Sequence, residues 1–220
     1  MELILIRHGQ SENNARPESE RVEDPELTEL GRRQARCLGA AEPELFGAQL
    51  LITSPFRRAL QTAEPLAAAR STPVWVWRDV HEQGGCYAGY TPETYRGRPG
   101  LGRSAIAASF PHYVIEPSIQ EEGWWGSKPY ESWEDALSRA ERVARRICDE
   151  IRPRFDRVAI VTHADFMRCL LLALAPKGLS EESIFSRIYN TSVTIVQISS
   201  PATCRVWNSV RHLPVTMHSW

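Results

Sequence analysis

The sequence predicts an α/β fold, a mostly parallel central sheet with helices on both faces, and three observations carry that prediction. Short aliphatic runs such as "LILI" alternate with amphipathic stretches of helical period, the order produced when crossover helices return the chain to the same edge of a sheet. Three of the apolar runs stop at polar residues of similar kind, as strands do when their carboxyl ends line a ligand crevice. The composition, 42% hydrophobic and 24% charged over 220 residues, suits one full-sized folded domain.

Taken in order, "LILI" (3–6) reads as a buried strand. "LTELGRRQARCLGAAEPEL" (27–45) reads as an amphipathic helix that Pro43 terminates. "AQLLITS" is a second strand, and "PFRRALQTAEPLAAA" a helix with Pro55 near its first turn, where proline is tolerated. "TPVWVWR" alternates like a third strand. Residues 79–131 then run rich in glycine, proline and aromatics with little regular pattern. A loop of that length inside a compact domain is usually functional, and it is expected to form a cap over the site. "SWEDALSRAERVARRICDEI" is a long helix, with Ser132 placed to cap it and Asp135 three residues on. "RVAIVTH" is a strand and "ADFMRCLLLALA" a helix stopped before Pro176. "TSVTIVQIS" and "TCRVWNSV" close as two strands able to pair as a hairpin. No repeat or linker divides the chain, so a single domain over 1–220 is expected.

The formal net charge of −1 gives no general affinity for nucleic acid or acidic membranes, and any anion site must come from a local cluster of cations. Five cysteines, odd in number and without a C-x-x-C pair, fit reduced and partly buried thiols. The longest apolar run, Cys169 to Ala175, is far too short to span a bilayer. With the first strand beginning within three residues of Met1, no signal peptide is expected. A cytoplasmic protein is expected, with no nucleic-acid or membrane partner and with its oligomeric state left open.

The polar strand ends form a constellation. "LILI" ends at Arg7-His8-Gly9. "LLI" ends at Thr53-Ser54, with Arg57-Arg58 in the first turn of the next helix. "VAIV" ends at Thr162-His163, immediately before a helix. A lone histidine at a strand end is most often a hydrogen-bonded structural residue. Cations in a first helical turn oppose the helix dipole, by about 0.3–1 kcal/mol each, so Arg57 or Arg58 there points to a bound anion. Two histidines, arginine forks and helix N-termini on one edge suit a phosphate or another oxyanion.

The blocks "RHGQSENN", "LTELGRRQA", "TSPFRRALQTAE", "VTHADFMRCLL" and "WNSVRHLP" resemble, in order, the signature blocks of the histidine phosphatase superfamily, the phosphoglycerate mutase-like group with R-H-G-[EQ]-[ST]. The resemblance implies a three-layer sandwich and a soluble phosphomonoester metabolite as substrate, with no cofactor and no metal. It makes His8 the nucleophile that forms a phosphohistidine, with its ring neutral and one nitrogen free. Arg7, Arg58 and His163 would clamp the phosphoryl oxygens, Arg58 rather than Arg57 because it immediately precedes the alanine of its block. Asn14 aligns with an asparagine that helps to bind the phosphoryl group.

The family's proton donor is a glutamate just after the third strand. Here that place reads "DVHEQGGCYAGY", which makes Glu82 the candidate, with His81 beside it to orient or replace it. The glycines that follow (Gly84, Gly85, Gly89) are offset from the common spacing. Cys86 lacks the arginine spacing of cysteine phosphatases and is not read as a nucleophile. Cations at Arg96, Arg98, Arg103, His112 and Lys128, interleaved with tyrosines and tryptophans, would suit a second anion or a flat ring on the substrate. Mutases carry an E-R-H-Y-G-G-L block where this chain has "HEQGGCYAG", and the departure favours hydrolysis. Phosphoglycerate mutase-type transfer and a catalytically inactive phosphate-binding scaffold are the alternatives.

Overall fold

A computed structural model describes residues 1–41 and 47–220. Five parallel strands form the body of the sheet: β1 (Glu2–Arg7), β2 (Leu50–Thr53), β3 (Val74–Val76), β6 (Tyr113–Ile115) and β7 (Arg157–Thr162). Two further strands, β8 (Val193–Gln197) and β9 (Thr203–Ser209), pair antiparallel as the expected hairpin, and β8 runs antiparallel to β1. The order across the sheet is β6-β3-β2-β7-β1-β8-β9. β4 (Tyr87–Ala88) and β5 (Arg96–Gly97) form a separate two-stranded ribbon.

Strand periodicity assigns the helices to the two faces. Leu3, Leu5, Leu50, Ile52, Val158 and Ile160 pack under α5 (Trp133–Arg146) and α6 (Ala164–Leu174). The alternate residues Ile4, Ile6, Leu51, Ala159 and Val161 meet α2 (Glu29–Gly39) and α3 (Arg57–Ala68). The expected three layers result. α2 starts where Thr28 accepts a hydrogen bond from the Gly31 N–H, and it ends at Gly39; the remainder of the stretch expected to be helical, with Pro43, lies outside the described residues. α5 starts at the expected cap, Ser132 accepting from the Asp135 N–H, and continues as a π-helical turn through Ile151. Short helices α1 (Glu12–Ala15) and α7 (Glu181–Phe185) flank the sheet.

The 79–131 segment is more regular than its sequence suggests. It contains the β4–β5 ribbon, helix α4 (Arg103–Ser109) and β6, which adds a parallel edge strand to β3. An apolar cluster of Phe56, Leu60 and Val76 with Cys86, Ile106, Ile119, Trp124 and Trp125 fastens it to α3 and β3. Arg139 of α5, 3% exposed, holds both of its ends. It pairs with Glu131 at 2.6 Å and donates to the carbonyls of Asp79 and His81.

Candidate active site

The register puts Arg7 opposite Thr162, and Thr53 opposite Val161, so the carboxyl ends of β1, β2 and β7 form one edge. His8 follows β1, Ser54 follows β2, and His163 stands at the N-cap of α6. Arg58 projects from the first turn of α3 and bridges the two imidazoles. Its Nε donates to His8 Nε2 at 3.1 Å, and its Nη2 reaches His163 Nδ1 at 3.1 Å. His163 Nε2 bonds to Ser54 Oγ at 2.8 Å. Four of the expected residues, Arg7, His8, Arg58 and His163, are therefore buried together at the strand ends.

The hydrogen bonds define both tautomers. His8 Nδ1 lies 2.7 Å from the Gly9 carbonyl, an acceptor only, so it carries the proton and Nε2 keeps its lone pair. Arginine only donates, so His163 Nδ1 accepts and its Nε2–H faces Ser54. Burial, and then the charges of Arg58 and Arg7, hold the His8 pKa well below 6.5, and His163 is shifted the same way, first by burial and then by Arg58. Arg7 donates to the Ile188 carbonyl at 2.6 Å. Among the described residues its Nε and the Nη1 of Arg58 are buried without a partner, and burial lowers the pKa of both guanidinium groups to about 10.

The family-like blocks have a local physical purpose. Gly31 lets the loop after His8 cross α2, where a Cβ would stand 2.0 Å from the Gln10 carbonyl oxygen. Gln34 accepts from the Gln10 N–H at 2.8 Å, and Thr62 from the Gly9 N–H at 3.0 Å. Thr62 in turn donates to the Arg58 carbonyl at 2.7 Å, so one hydroxyl fixes the loop after His8 against α3.

Glu82 Oε1 accepts from the N–H groups of Gln83 and Phe166, each at 3.0 Å, which places the carboxyl at the N-terminus of α6. Burial, followed by the charge of Asp165, pushes its pKa up to about 7, against the opposing pull of Arg58. The offset glycines give the path that brings it there. Gly85 has φ +75°, and a Cβ on it would lie 2.4 Å from Trp125. His81 is turned elsewhere: its Nδ1 meets the Glu82 carbonyl at 2.8 Å and its ring packs between Trp124 and Trp125. Asn14 joins the circle indirectly. Its Oδ1 accepts from Ser11 at 3.0 Å, and Asn190 Nδ2 lies 3.4 Å from that oxygen and 3.2 Å from the His8 carbonyl.

Arg57 points away and pairs with Glu26 at 3.6 Å. Burial pushes the Cys86 thiol up to about 12, which leaves it un-ionised at neutral pH. The segment's cations are largely committed to the protein. Arg103 donates to the carbonyls of Ile115, Glu116 and Ile119, Arg96 to those of Glu93 and Tyr95, and Lys128 lies over Trp125. Sequence reasoning missed Asn190, Thr62 and Asp24. Asp24 accepts from the Arg57 N–H at 2.9 Å and so caps α3 from another segment. Only Thr62, within a signature block, left a readable signal. Among the described residues no cluster of three or more His, Cys, Asp or Glu is placed to hold a metal ion, and no helix is long and apolar enough to cross a membrane.

The sequence model of the histidine phosphatase superfamily (branch 1) matches residues 3–209. The chain belongs to that family. Among its relatives, phosphoglycerate mutase-like protein 4 of Arabidopsis thaliana is 26% identical, over 98% of this chain and 88% of its own length. Phosphoserine phosphatase 1 of Hydrogenobacter thermophilus is 26% identical over 99% of this chain and 94% of its own. The solved phosphoserine phosphatase of Entamoeba histolytica in complex with phosphoserine superimposes with a TM-score of 0.65 at 20% identity, over 97% of this chain and 99% of that one, a likeness of fold. Membership of this family, with phosphatase relatives along the full chain, makes the protein a histidine-dependent hydrolase.

Proposed function

We propose that the chain hydrolyses a small phosphomonoester through a phosphohistidine on His8, with Arg7, Arg58 and His163 around the phosphoryl oxygens and Asn14 at their margin. The observation that carries this reading is the fixed His8 tautomer, its Nε2 lone pair facing a buried guanidinium that still has an unpartnered donor. An incoming phosphoryl group draws the Arg58 donors to itself and so frees Nε2. Nε2 then bonds to phosphorus as the ester P–O bond breaks, and the leaving oxygen takes the proton of Glu82. Water next attacks the phosphohistidine, the Glu82 carboxylate takes its proton, and the P–N bond breaks to give inorganic phosphate and restore both groups. The 79–131 segment acts as the cap in this reading, and no metal or cofactor enters any step. The described cysteines stand as free thiols, which suits the cytoplasm.

Relatives named for phosphoserine phosphatase and phosphoglycerate mutase activity support a small phosphorylated metabolite as the substrate class. The test is phosphate release from an activated aryl phosphate, with rapid acid or alkaline quench to trap the phosphoenzyme. The native protein is expected to turn over through an acid-labile, base-stable adduct, and His8→Ala to lose both adduct and turnover. Turnover surviving in His8→Ala would overturn the mechanism, and isomerisation of 3-phosphoglycerate faster than phosphate release would establish the mutase alternative.

A further inference from the structure

Three fully buried polar residues, Asn190, Thr191 and Ser192, precede β8 and meet the chain around His8. The Thr191 N–H donates to the carbonyls of Arg7 at 3.0 Å and His8 at 3.3 Å. Thr191 does so at φ +54°, a conformation that a β-branched residue keeps only where its surroundings hold it. The closing block "WNSVRHLP" supplies that hold. His212 Nε2 lies 3.2 Å from the Thr191 hydroxyl. Asn208 accepts from the Tyr189 N–H at 3.0 Å and donates to the Arg187 carbonyl at 2.7 Å.

A second set of bonds closes a circuit on the same loop. The Gln10 N–H donates to Gln34 Oε1 at 2.8 Å, and Gln34 Nε2 donates to Ser219 Oγ at 2.9 Å. The Ser219 hydroxyl donates to Asn190 Oδ1 at 2.9 Å, and Asn190 Nδ2 to the His8 carbonyl at 3.2 Å. All four bonds point the same way, so each polarises the next, and the circuit begins and ends on residues 8–10. Gln34 and Asn190 are fully buried, and the circuit fixes the Asn190 amide. Flipped, it would set its oxygen against two acceptors, the His8 carbonyl and Asn14 Oδ1. The Ser11 N–H and hydroxyl also donate to Asn14 Oδ1, which leaves the Asn14 Nδ2 group to meet a ligand. We propose that Ser219 is a positioning residue: through Asn190 and Gln34 it holds the His8 loop and the Asn14 amide in the geometry that phosphoryl transfer requires. The inference rests on the phosphatase reading and adds to it a residue that acts only through others.

The test mixes the native protein, Ser219→Ala, Ser219→Thr and Asn190→Asp rapidly with excess aryl phosphate and quenches in alkali. The amplitude of the phosphoenzyme counts folded sites and its rate constant reports their geometry, so a merely structural loss lowers the amplitude alone. Ser219→Ala is expected to lower the rate constant about 10-fold, short of the roughly 10²-fold that a 1 Å misplacement costs. Asn190→Asp, which turns a third acceptor on the His8 carbonyl and Asn14, is expected to approach that larger figure. Ser219→Thr keeps the hydroxyl and is expected to restore the native rate constant. A native rate constant in Ser219→Ala, or a slowed one that Ser219→Thr does not restore, would overturn the role of Ser219. Calorimetric binding of inorganic phosphate requires no turnover and separates the two readings. A native protein that forms no adduct, but whose phosphate affinity falls in Ser219→Ala and returns in Ser219→Thr, would overturn the phosphatase reading alone. No adduct, with one phosphate affinity in all three, would overturn both.

Discussion

Arginine plays opposite parts in two regions of this molecule. Around the 79–131 segment its donors end on protein acceptors: Arg103 on three carbonyls, Arg139 on Glu131 and two more carbonyls. At the carboxyl edge of the sheet, Arg7 and Arg58 keep a buried donor each with no acceptor among the described residues. A buried donor left unpaired costs about 1–3 kcal/mol, and it persists where a ligand completes it. On the proposed reading, what separates a structural guanidinium from a binding one is the donors left over, and a tally of cations in the sequence carries no such information.

Four changes break or sharpen the contrast. The largest effect is expected from Arg139→Ala, a loss of about 3–5 kcal/mol in chemical denaturation, because Glu131 is left buried and unpaired. A loss below 1 kcal/mol would remove Arg139 as the clamp of the segment. Arg58→Ala should cost about 10²–10³-fold in kcat, as removal of one preorganised donor does, with much less effect on stability. If KM rises while kcat holds, Arg58 binds the ground state only. Arg103→Ala is expected to lower stability by about 1.5–3 kcal/mol through the lost carbonyl bonds while kcat/KM stays as it was. A fall in kcat/KM as large as that of Arg58→Ala would abolish the distinction between the regions.

The smallest effect concerns pH. With the Glu82 carboxyl raised to about 7 by burial and then by Asp165, the proposed proton donor is intact below neutrality and is lost as pH rises through that value. Turnover of an alkyl phosphomonoester should fall about tenfold per pH unit on the alkaline side. An activated aryl phosphate, whose leaving group needs no proton, should show no such limb. His8, held below 6.5, stays neutral over this range and adds no acid limb near neutrality. Equal limbs for the two substrates would remove Glu82 as the acid.

The parts of this structure legible in the sequence are those with local causes. The Leu3/Leu5 and Ile4/Ile6 alternation gives two buried faces, and the polar stops at Arg7-His8 and His163 mark strand ends whichever strands lie between them. Arg58 was separable from Arg57 by its place in a block, and the structure separates them by burial. β6 was not legible, since a strand of three residues with Val114 exposed has no measurable period; its pairing with β3 is set by backbone register and the packing of Ile115. Arg139, Asn190 and Asp24 were hidden for a different reason: each acts on residues at least 29 positions away, except where Arg139 meets Glu131 eight positions before it.

The strand that leads into His8 has both of its neighbours, β7 and β8, far along the chain. Arg7 takes its acceptor from Ile188, 181 positions on, and the His8 carbonyl is met by Asn190, itself bonded to Ser219. At ~5–20 residues per second, a ribosome needs roughly 9–36 s to pass from one end of the Arg7–Ile188 bond to the other. For that interval the emerging protein has His8 but not the residues that surround it. Catalytic competence is therefore a property that synthesis delivers late and all at once, and a chain stalled before β8 is inert toward the metabolites around it.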